Sequence, residues 1–289
     1  MLLALLLACP VRTSERCLST PCAPVETAET ALDTEDSDKP VDHVAELVGK
    51  GRTFQSIQEA IVEADEGDVV LVQPGTHYEN IDFHGKGIHV VSAEGAAVTV
   101  IDGQRRGSVV QIRAMEPDTA VLEGFTLTNG RGTENHGGGL FVENADPLIL
   151  HNVVVGNEAN IGGGIYLRHG YAQVSNNVVV DNQAFEGGGG VVCTNCKGLI
   201  SFNTFVNNQS KDGPLGEWYF EAQGDFIGNL AVLPEGSDYA LRFMAPQGYT
   251  FRVEHNLLAP ELPWVDPDHP DAKFFPVDLG TSFDPPVFT

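Results

Sequence analysis

Apolar and polar positions alternate along much of the chain in runs that are too short for helices. Apolar residues stand two positions apart in pairs such as Leu140 and Val142, or Ile165 and Leu167, and each run lasts three to six residues. An amphipathic helix needs an apolar residue every three or four positions, and these runs lack that spacing. The pattern therefore predicts short β-strands.

The strands belong to a repeat that is marked by asparagine. The segment 152–157 has an asparagine at each end, and it returns at 177–182 and 203–208, with weaker copies from Asn229 and Asn256. The step is 25 to 27 residues. An apolar residue stands three positions before each leading asparagine, and another stands two positions after it. Self-similarity at this period indicates a stacked, repeating architecture.

Runs of three glycines recur with the same period, at 137–139, 162–164 and 188–190. Three short strands per turn, stacked coil on coil, give a parallel β-helix. Coils about 4.8 Å apart place equivalent residues above one another, so we expect the buried corner asparagines to form a hydrogen-bonded ladder. The glycines supply bends that a Cβ would obstruct. We therefore predict an all-β solenoid, a parallel β-helix, over residues 51–260.

The segment 53–64 is the exception, because it has helical spacing. Phe54, Ile57 and Ile61 share one face, and Thr53 or Ser56 can cap the first turn. A solenoid has an open end that must be closed. We therefore expect this segment to be an N-terminal capping helix.

Two segments carry a resemblance to a known family. Residues 54–61 (FQSIQEAI) and 67–78 (GDVVLVQPGTHY), with the Asn-x-Val-x-x-Asn and Gly-Gly-Gly-Ile-Tyr units, resemble the right-handed β-helix proteins of the pectin-lyase-like superfamily. The resemblance covers about residues 50–260 and implies a right-handed parallel β-helix. The tail at 261–289, rich in Pro and Asp, resembles the irregular C-terminal cap of such chains. These motifs specify a scaffold and say little about chemistry.

The N-terminal residues carry features of an export signal. The apolar run before Cys9 is too short to span a bilayer and is typical of a signal peptide. Leu-Leu-Ala-Cys at 6–9 resembles a bacterial lipobox, which implies lipidation of Cys9; the alternative is an ordinary secretory signal. Residues 10–50 are rich in Thr, Ala, Pro, Glu and Asp, and this composition predicts a disordered acidic linker. We expect an exported protein, either an outer-membrane or cell-surface lipoprotein or a secreted one, that meets the membrane only through its lipid anchor.

Four further cysteines fall into two close pairs, Cys17 with Cys22 and Cys193 with Cys196. An oxidising compartment favours two local structural disulfides. Free thiols are the second interpretation. A redox motif or a metal site ranks third, because the second pair lies in a strand-like context and no further ligand pair is evident.

Acidic residues outnumber basic ones by 40 to 16, and the net charge is −24. A chain of this charge does not suit sequence-independent nucleic-acid binding, which requires clustered Lys and Arg. It also disfavours a polyanionic substrate unless calcium bridges the two. The sequence contains no calcium-loop pattern. We therefore expect no metal and no cofactor, with calcium as the alternative that no motif supports. We also expect a monomer.

The strands after the glycine runs supply the best candidate binding surface. Outward positions alternate with inward ones, so two columns of residues are expected on the solvent side. The first column is Phe141, Tyr166 and Val192, and the second is Glu143, Arg168 and Thr194. Aromatic faces stack on sugar rings, and charged neighbours bind their hydroxyls. The alternative is that Glu143 and Arg168 form only an ion pair between coils.

Two flanking groups extend this candidate surface. Arg131 and His136 lie in a loop that could overhang the strip, and Trp218 and Tyr219 could close one end of a groove. The alternatives are solvated loop residues for the first pair and aromatic packing under a loop for the second.

These features favour an exported, non-catalytic module that binds carbohydrate or another cell-surface component. The competing function is a polysaccharide lyase or glycoside hydrolase on the strand face after the glycine runs, with Arg168, His169 and Glu143 as weak catalytic candidates. Lyases need a base beside a charge-neutralising group, and hydrolases need paired carboxylates. The superfamily's Asp-Asp pair with Gly-His-Gly and its Trp-x-Asp-His motif do not occur in this sequence.

Overall fold

The computed structural model describes residues 43–212, 216–219, 224–235, 241–244 and 251–259. Over these residues the chain forms an all-β solenoid with one short helix, α1 (Ile57–Glu63). Three long sheets run along the solenoid, and a fourth, short sheet lies beside one of them. The predicted solenoid fold is therefore confirmed, and successive coils pair in parallel as expected.

Sheet A has ten strands, and only its first two pairings are antiparallel. In order across the sheet, its strands are β2 (Arg52–Phe54), β1 (Ala45–Leu47), β3 (Val69–Val72), β6 (His89–Ser92), β9 (Val121–Glu123), β12 (Leu148–Leu150), β16 (Gln173–Ser175), β20 (Leu199–Ser201), β24 (Gly224–Ile227) and β27 (Phe251–Glu254).

Sheet B has eight strands, all parallel. They are β4 (Gly75–His77), β7 (Thr99–Asp102), β10 (Thr126–Thr128), β13 (Val153–Val155), β17 (Val178–Val180), β21 (Thr204–Val206), β25 (Leu230–Val232) and β28 (Leu257–Ala259).

Sheet C has seven parallel strands, and sheet D has three. Sheet C contains β5 (Ile81–Asp82), β8 (Val110–Ile112), β11 (Leu140–Glu143), β15 (Ile165–Gly170), β19 (Val191–Cys196), β23 (Gly216–Tyr219) and β26 (Leu241–Met244). Sheet D contains β14 (Glu158–Ile161), β18 (Gln183–Gly187) and β22 (Gln209–Asp212).

The asparagine ladder lies along the corner between sheets A and B. The side-chain amides of Asn152, Asn177, Asn203, Asn229 and Asn256 are joined from coil to coil at 3.0–3.2 Å. The first four are each 1% exposed. A second ladder at the other end of the sheet B strands joins Asn157, Asn182 and Asn208. These amides satisfy buried backbone groups at both turns, as buried polar groups require.

The glycine runs lie where sheets C and D come together. A Cβ at Gly163 would collide with the backbone of Gln183, and one at Gly189 would collide with the backbone of Gln209. Glycine is therefore required here for the close approach of neighbouring coils.

Helix α1 begins at Ile57, because the residues from Arg52 to Phe54 form β2 instead. The Ser56 side chain accepts a hydrogen bond from the Glu59 N–H at 3.1 Å, as an N-cap does. The ammonium of Lys86 donates to the last carbonyls of the helix, including Ile61 O at 2.8 Å. Ile57, Ala60 and Ile61 are buried in the hydrophobic core.

The folded part starts before residue 51, because β1 lies inside the predicted linker and pairs with β2 and β3. Linker residues 10–42, the signal segment at 1–9 with Cys9, and the predicted cap at 261–289 lie outside the described residues. The same is true of Cys17 and Cys22. No helix in the described ranges is long and apolar enough to cross a membrane.

Candidate functional site

The column of residues expected to form an exposed strip on sheet C is buried, and the prediction of its exposure is wrong. Phe141, Tyr166 and Val192 stand in register on β11, β15 and β19, as the repeat requires. Their exposures are 0%, 4% and 0%. They form a second apolar cluster outside the solenoid interior, with Ile161 of sheet D packed against it. We call Phe141, Tyr166 and Val192 the outer cluster.

The loop at 131–136 supplies the rest of the cover. The His136 ring lies with its centroid 4.5 Å from that of Tyr166 and 5.9 Å from that of Phe141. Thr133 and Ser108 exchange hydrogen bonds, with Thr133 N donating to Ser108 Oγ at 2.9 Å. The Asn135 carbonyl accepts from the backbone of β14. The loop thus overhangs the strip as expected, but it shields the outer cluster from solvent.

A row of charged side chains borders the outer cluster. The Glu143 carboxylate accepts hydrogen bonds from Arg168 on one oxygen and from Arg113 on the other, the latter at 3.0 Å. Arg113 also pairs with Glu134 at 2.9 Å. We call Arg113, Glu143 and Arg168 the arginine row. Their side chains are 20%, 14% and 28% exposed, so the row is reachable from solvent at one edge.

The arginine row also rests on the outer cluster. The guanidinium carbon of Arg113 lies 4.3 Å from the centroid of the Phe141 ring, and that of Arg168 lies 5.8 Å from it. A cation over an aromatic face is attracted by the ring quadrupole. Phe141 therefore supports two guanidinium groups from beneath instead of presenting its own face to a ligand.

Of the predicted site residues, the structure brings together Glu143, Arg168, Tyr166, Phe141 and His136. The Tyr166 hydroxyl and the Thr194 hydroxyl lie 3.3 Å apart, which places Thr194 beside the row. Sequence reasoning missed Arg113, because it stands in the coil before the first glycine run. Arg113 directly follows β8, as Glu143 follows Val142 on β11, so the two residues stand in the same column. That position was the signal that could have found it.

The remaining predicted residues do not join this group. His169 has a φ of 53° and turns away to contact Asn195 at 3.1 Å. Arg131 is exposed. Trp218 and Tyr219 continue the registers of Cys193 and Thr194 on β23, but their side chains lie outside the described part of the structure.

Two groups at the site have shifted ionisation. Burial of the imidazole, with the Arg168 guanidinium nearby, lowers the pKa of His136 below its ordinary value of 6.5. Burial alone would raise the pKa of Glu143, but hydrogen bonds from Arg168 and Arg113 outweigh it and hold that pKa below 4.5. At neutral pH the site therefore has a neutral imidazole and an ionised carboxylate.

The hydrogen bonding of the site is incomplete at two buried atoms. His136 Nδ1 and Arg168 Nε are buried and have no hydrogen-bond partner within the described ranges. Buried polar atoms are usually paired, so each unpaired atom calls for an explanation. The partly exposed guanidinium groups of Arg113 and Arg168 can donate hydrogen bonds to a ligand.

Cys193 and Cys196 form a disulfide, with their Cα atoms 5.5 Å apart. Both side chains are buried, at 1% and 2% exposed. Cys193 occupies the inward position that Leu167 holds one coil earlier. The bond therefore lies in the hydrophobic core, away from the arginine row.

Within the residues that the structure covers, no three His, Cys, Asp or Glu side chains are grouped so that they could hold a metal ion. No family model, no curated protein and no solved structure matches this chain. Its function must therefore be argued from the geometry of the arginine row and its surroundings.

Proposed function

We propose that this chain is an exported, non-catalytic β-helix module that binds carbohydrate through the arginine row, as a monomer and without a metal or cofactor. The single observation that carries the proposal is the convergence of Arg113, Glu143 and Arg168 across neighbouring strands of sheet C. Guanidinium and carboxylate groups fixed by one another present several hydrogen-bonding atoms in a set geometry, and such groups give orientation at sugar sites.

The scaffold part of the proposal goes further than the observed solenoid. We take the coil to be a right-handed member of the pectin-lyase-like superfamily, and helix α1 to cap its first turns. The support is the resemblance at 54–61 and 67–78, together with the burial of Ile57 and Ile61 in the core. We take Cys9 to be lipidated and residues 10–42 to space the solenoid from a cell surface.

The outer cluster changes which surface a sugar would meet. Because Phe141 and Tyr166 are covered, ring stacking does not supply the affinity. Binding then depends on hydrogen bonds to Arg113 and Arg168, with the hydroxyl of Thr194 one coil further on. A carbohydrate with hydroxyl groups spaced to match neighbouring coils, about 4.8 Å apart, fits this row.

A glycan array probed with the full chain tests the proposal. We expect binding to a defined set of glycans, and Arg168→Ala and Arg113→Ala to weaken it by about tenfold or more, since hydrogen bonds to charged groups contribute on that scale. Arg52→Ala is the matched control, because Arg52 on β2 pairs with Glu63 on α1, away from the arginine row. Equal binding by wild type and Arg168→Ala, or no glycan bound at all, would overturn the proposal.

A polysaccharide lyase is the second candidate, and one observation favours it. The neutral His136 imidazole lies near the Arg168 guanidinium, and a base beside a charge-neutralising group is what proton abstraction next to a uronate requires. The ultraviolet absorbance of unsaturated products, followed while any glycan hit is incubated with the chain, separates the two functions. Product formation that is lost in His136→Gln would establish the lyase.

A further inference from the structure

The loop at 131–136, which we call the cover loop, holds a backbone conformation that few side chains favour. The carbonyl of Thr133 accepts a hydrogen bond from the His136 N–H at 2.9 Å, which closes a tight turn. The two residues inside that turn, Glu134 and Asn135, have φ values of 51° and 70°. Asparagine tolerates this left-handed region more readily than glutamate, and strained residues persist only where their surroundings hold them in place. The turn therefore depends on what the cover loop contacts.

The His136 ring is the part of the cover loop that packs on the outer cluster. It is half-buried and lies tilted against Tyr166 and Phe141. Glu134 and Asn135, at the tip of the turn, are exposed. The contact of one imidazole with two aromatic rings therefore holds the cover loop over the outer cluster.

The charged groups around the His136 ring already pair with one another. Arg113 and Arg168 share the Glu143 carboxylate, and Arg113 also pairs with Glu134. These four charges cancel, so a protonated imidazole would add a positive charge that no free carboxylate balances. The other titratable groups on the elements packed against the ring are Tyr166 beneath it, exposed Arg131 at the start of the loop, and Glu158 of β14, which is bound to Arg105.

Acid favours release of the ring. While the cover loop is closed, burial of the imidazole and the nearby Arg168 guanidinium lower the pKa of His136, and a hydrogen bond to the Glu134 backbone only partly opposes them. A solvated imidazole has its ordinary pKa of 6.5. The open state therefore binds a proton more tightly than the closed state, and the equilibrium shifts towards opening as the pH falls through 6.5.

We propose that the cover loop is a proton-operated lid: protonated His136 leaves the outer cluster, and the loop lifts to expose the rings of Phe141 and Tyr166 beside the arginine row. The strands beneath stay folded, because β11, β15 and β19 remain paired within sheet C. In the open state the two rings can stack on a sugar, so acid adds an aromatic face to the hydrogen bonds of the arginine row. This consequence for carbohydrate rests on the proposed function, whereas the opening of the lid does not.

Amide hydrogen exchange on the full chain measures the opening. The N–H groups of Asn160 and Ile161 donate to the Asn135 carbonyl in the cover loop, so their protection factors report whether it is closed. We expect these factors to fall by about three- to thirtyfold from about pH 8 to about pH 5, the upper bound being set by protonation of a solvated imidazole. They should also stay below that of Val178, whose N–H bonds to Asn152 within the stacked coils, because the lid opens without global unfolding.

Variants at His136 separate its charge from its ring. His136→Phe keeps a ring against the outer cluster without a titrating group, so its protection factors should no longer change with pH. His136→Lys carries its charge throughout this range, so its factors at pH 8 should be as low as those of wild type at pH 5. His169→Gln is the matched control, because His169 is an exposed histidine of β15, and it should keep the wild-type response. Circular dichroism checks the fold of each variant, and wild type with His136→Phe decides if His136→Lys does not fold.

Three results would contradict the lid. Protection at Asn160 and Ile161 could be the same at both pH values, which means that the cover loop does not respond to protons. The decline could persist in His136→Phe, which assigns it to another group. Both amides could exchange as slowly as Val178, which means that the cover loop opens only when the whole chain unfolds. A glycan array without any hit would contradict the proposed function and leave these three measurements unaffected.

Discussion

The solenoid interior and the outer cluster are both buried, yet they are built in different ways. In the interior, each coil contributes the same kind of residue to the same column, as with Ile149, Val174 and Ile200 on sheet A. The outer cluster also uses a column, but its cover comes from sheet D and from a loop that occurs in one coil only. Repetition therefore specifies what lies inside, whereas the burial of the outward column depends on segments packed over it, namely sheet D and the loop at 131–136.

This comparison predicts the largest loss of stability when the interior asparagine ladder is interrupted. Asn177→Ala removes an acceptor for the Asn152 N–H and a donor to the Ile149 carbonyl, both buried. Unpaired buried groups cost about 1–3 kcal/mol each, so we expect the free energy of unfolding to fall by about 4 kcal/mol. Urea denaturation followed by circular dichroism measures it.

Asn207→Gly is the control for that substitution. Asn207 is exposed, and its φ of 51° suits glycine. We expect its effect to stay within about 0.5 kcal/mol. A ladder variant as mild as this control would show that the interior asparagines do not stabilise the stack.

The next largest loss of stability is expected from a substitution in the outer cluster. Phe141→Ala removes a buried ring that contacts His136, Tyr166 and two guanidinium groups, so unfolding should become easier by about 3 kcal/mol. Amide hydrogen exchange should accelerate first at Gly137 and Ile161, where the loop and sheet D meet.

Phe185→Ala is the matched control, because Phe185 lies on sheet D and is 48% exposed. We expect it to be nearly neutral. If Phe141→Ala were equally mild, the outer cluster would be an exposed strip after all, and ring stacking would return as the source of sugar affinity.

The smallest effect concerns pH. The pKa of His136 is lowered in the folded chain, so the unfolded chain takes up that proton first as the pH falls through 6.5. The free energy of unfolding should therefore decrease on acidification from about pH 8 to about pH 5, and this contribution should be absent in His136→Phe. The lowered pKa of Glu143 contributes only below pH 4.5, outside this range.

The difference between the two stability curves isolates His136 from the other histidines. His169→Gln is the control, because His169 is exposed. A wild-type curve that is parallel to that of His136→Phe would mean that the imidazole is not held neutral by its surroundings.

The interior could be predicted from the sequence because each of its features is repeated. The asparagine and glycine columns indicated the coil length, the register and the pairing of Glu143 with Arg168. The cover of sheet C could not be predicted in the same way. Alternation distinguishes inward from outward positions, but whether an outward position is covered depends on contacts between segments far apart in the chain.

One segment and one residue show this limit. Residues 158–161 have the pattern of a corner between strands, and only pairing with 183–187 makes them a sheet that packs over Tyr166. Arg113 stands in a coil without a glycine run, so no glycine run marked its place in the column of Glu143. Its role comes from the shared Glu143 carboxylate, which only the folded chain brings within reach.

The antiparallel start of sheet A has a consequence for self-association. Strands β1 and β2 reverse the direction of pairing at the edge where a further coil would otherwise be added. The strand at this edge, β2, is 3 residues long and carries the exposed Arg52, and short, charged edge strands discourage pairing with another chain. This edge therefore resists end-to-end polymerisation into fibres, a hazard of any stack of identical rungs.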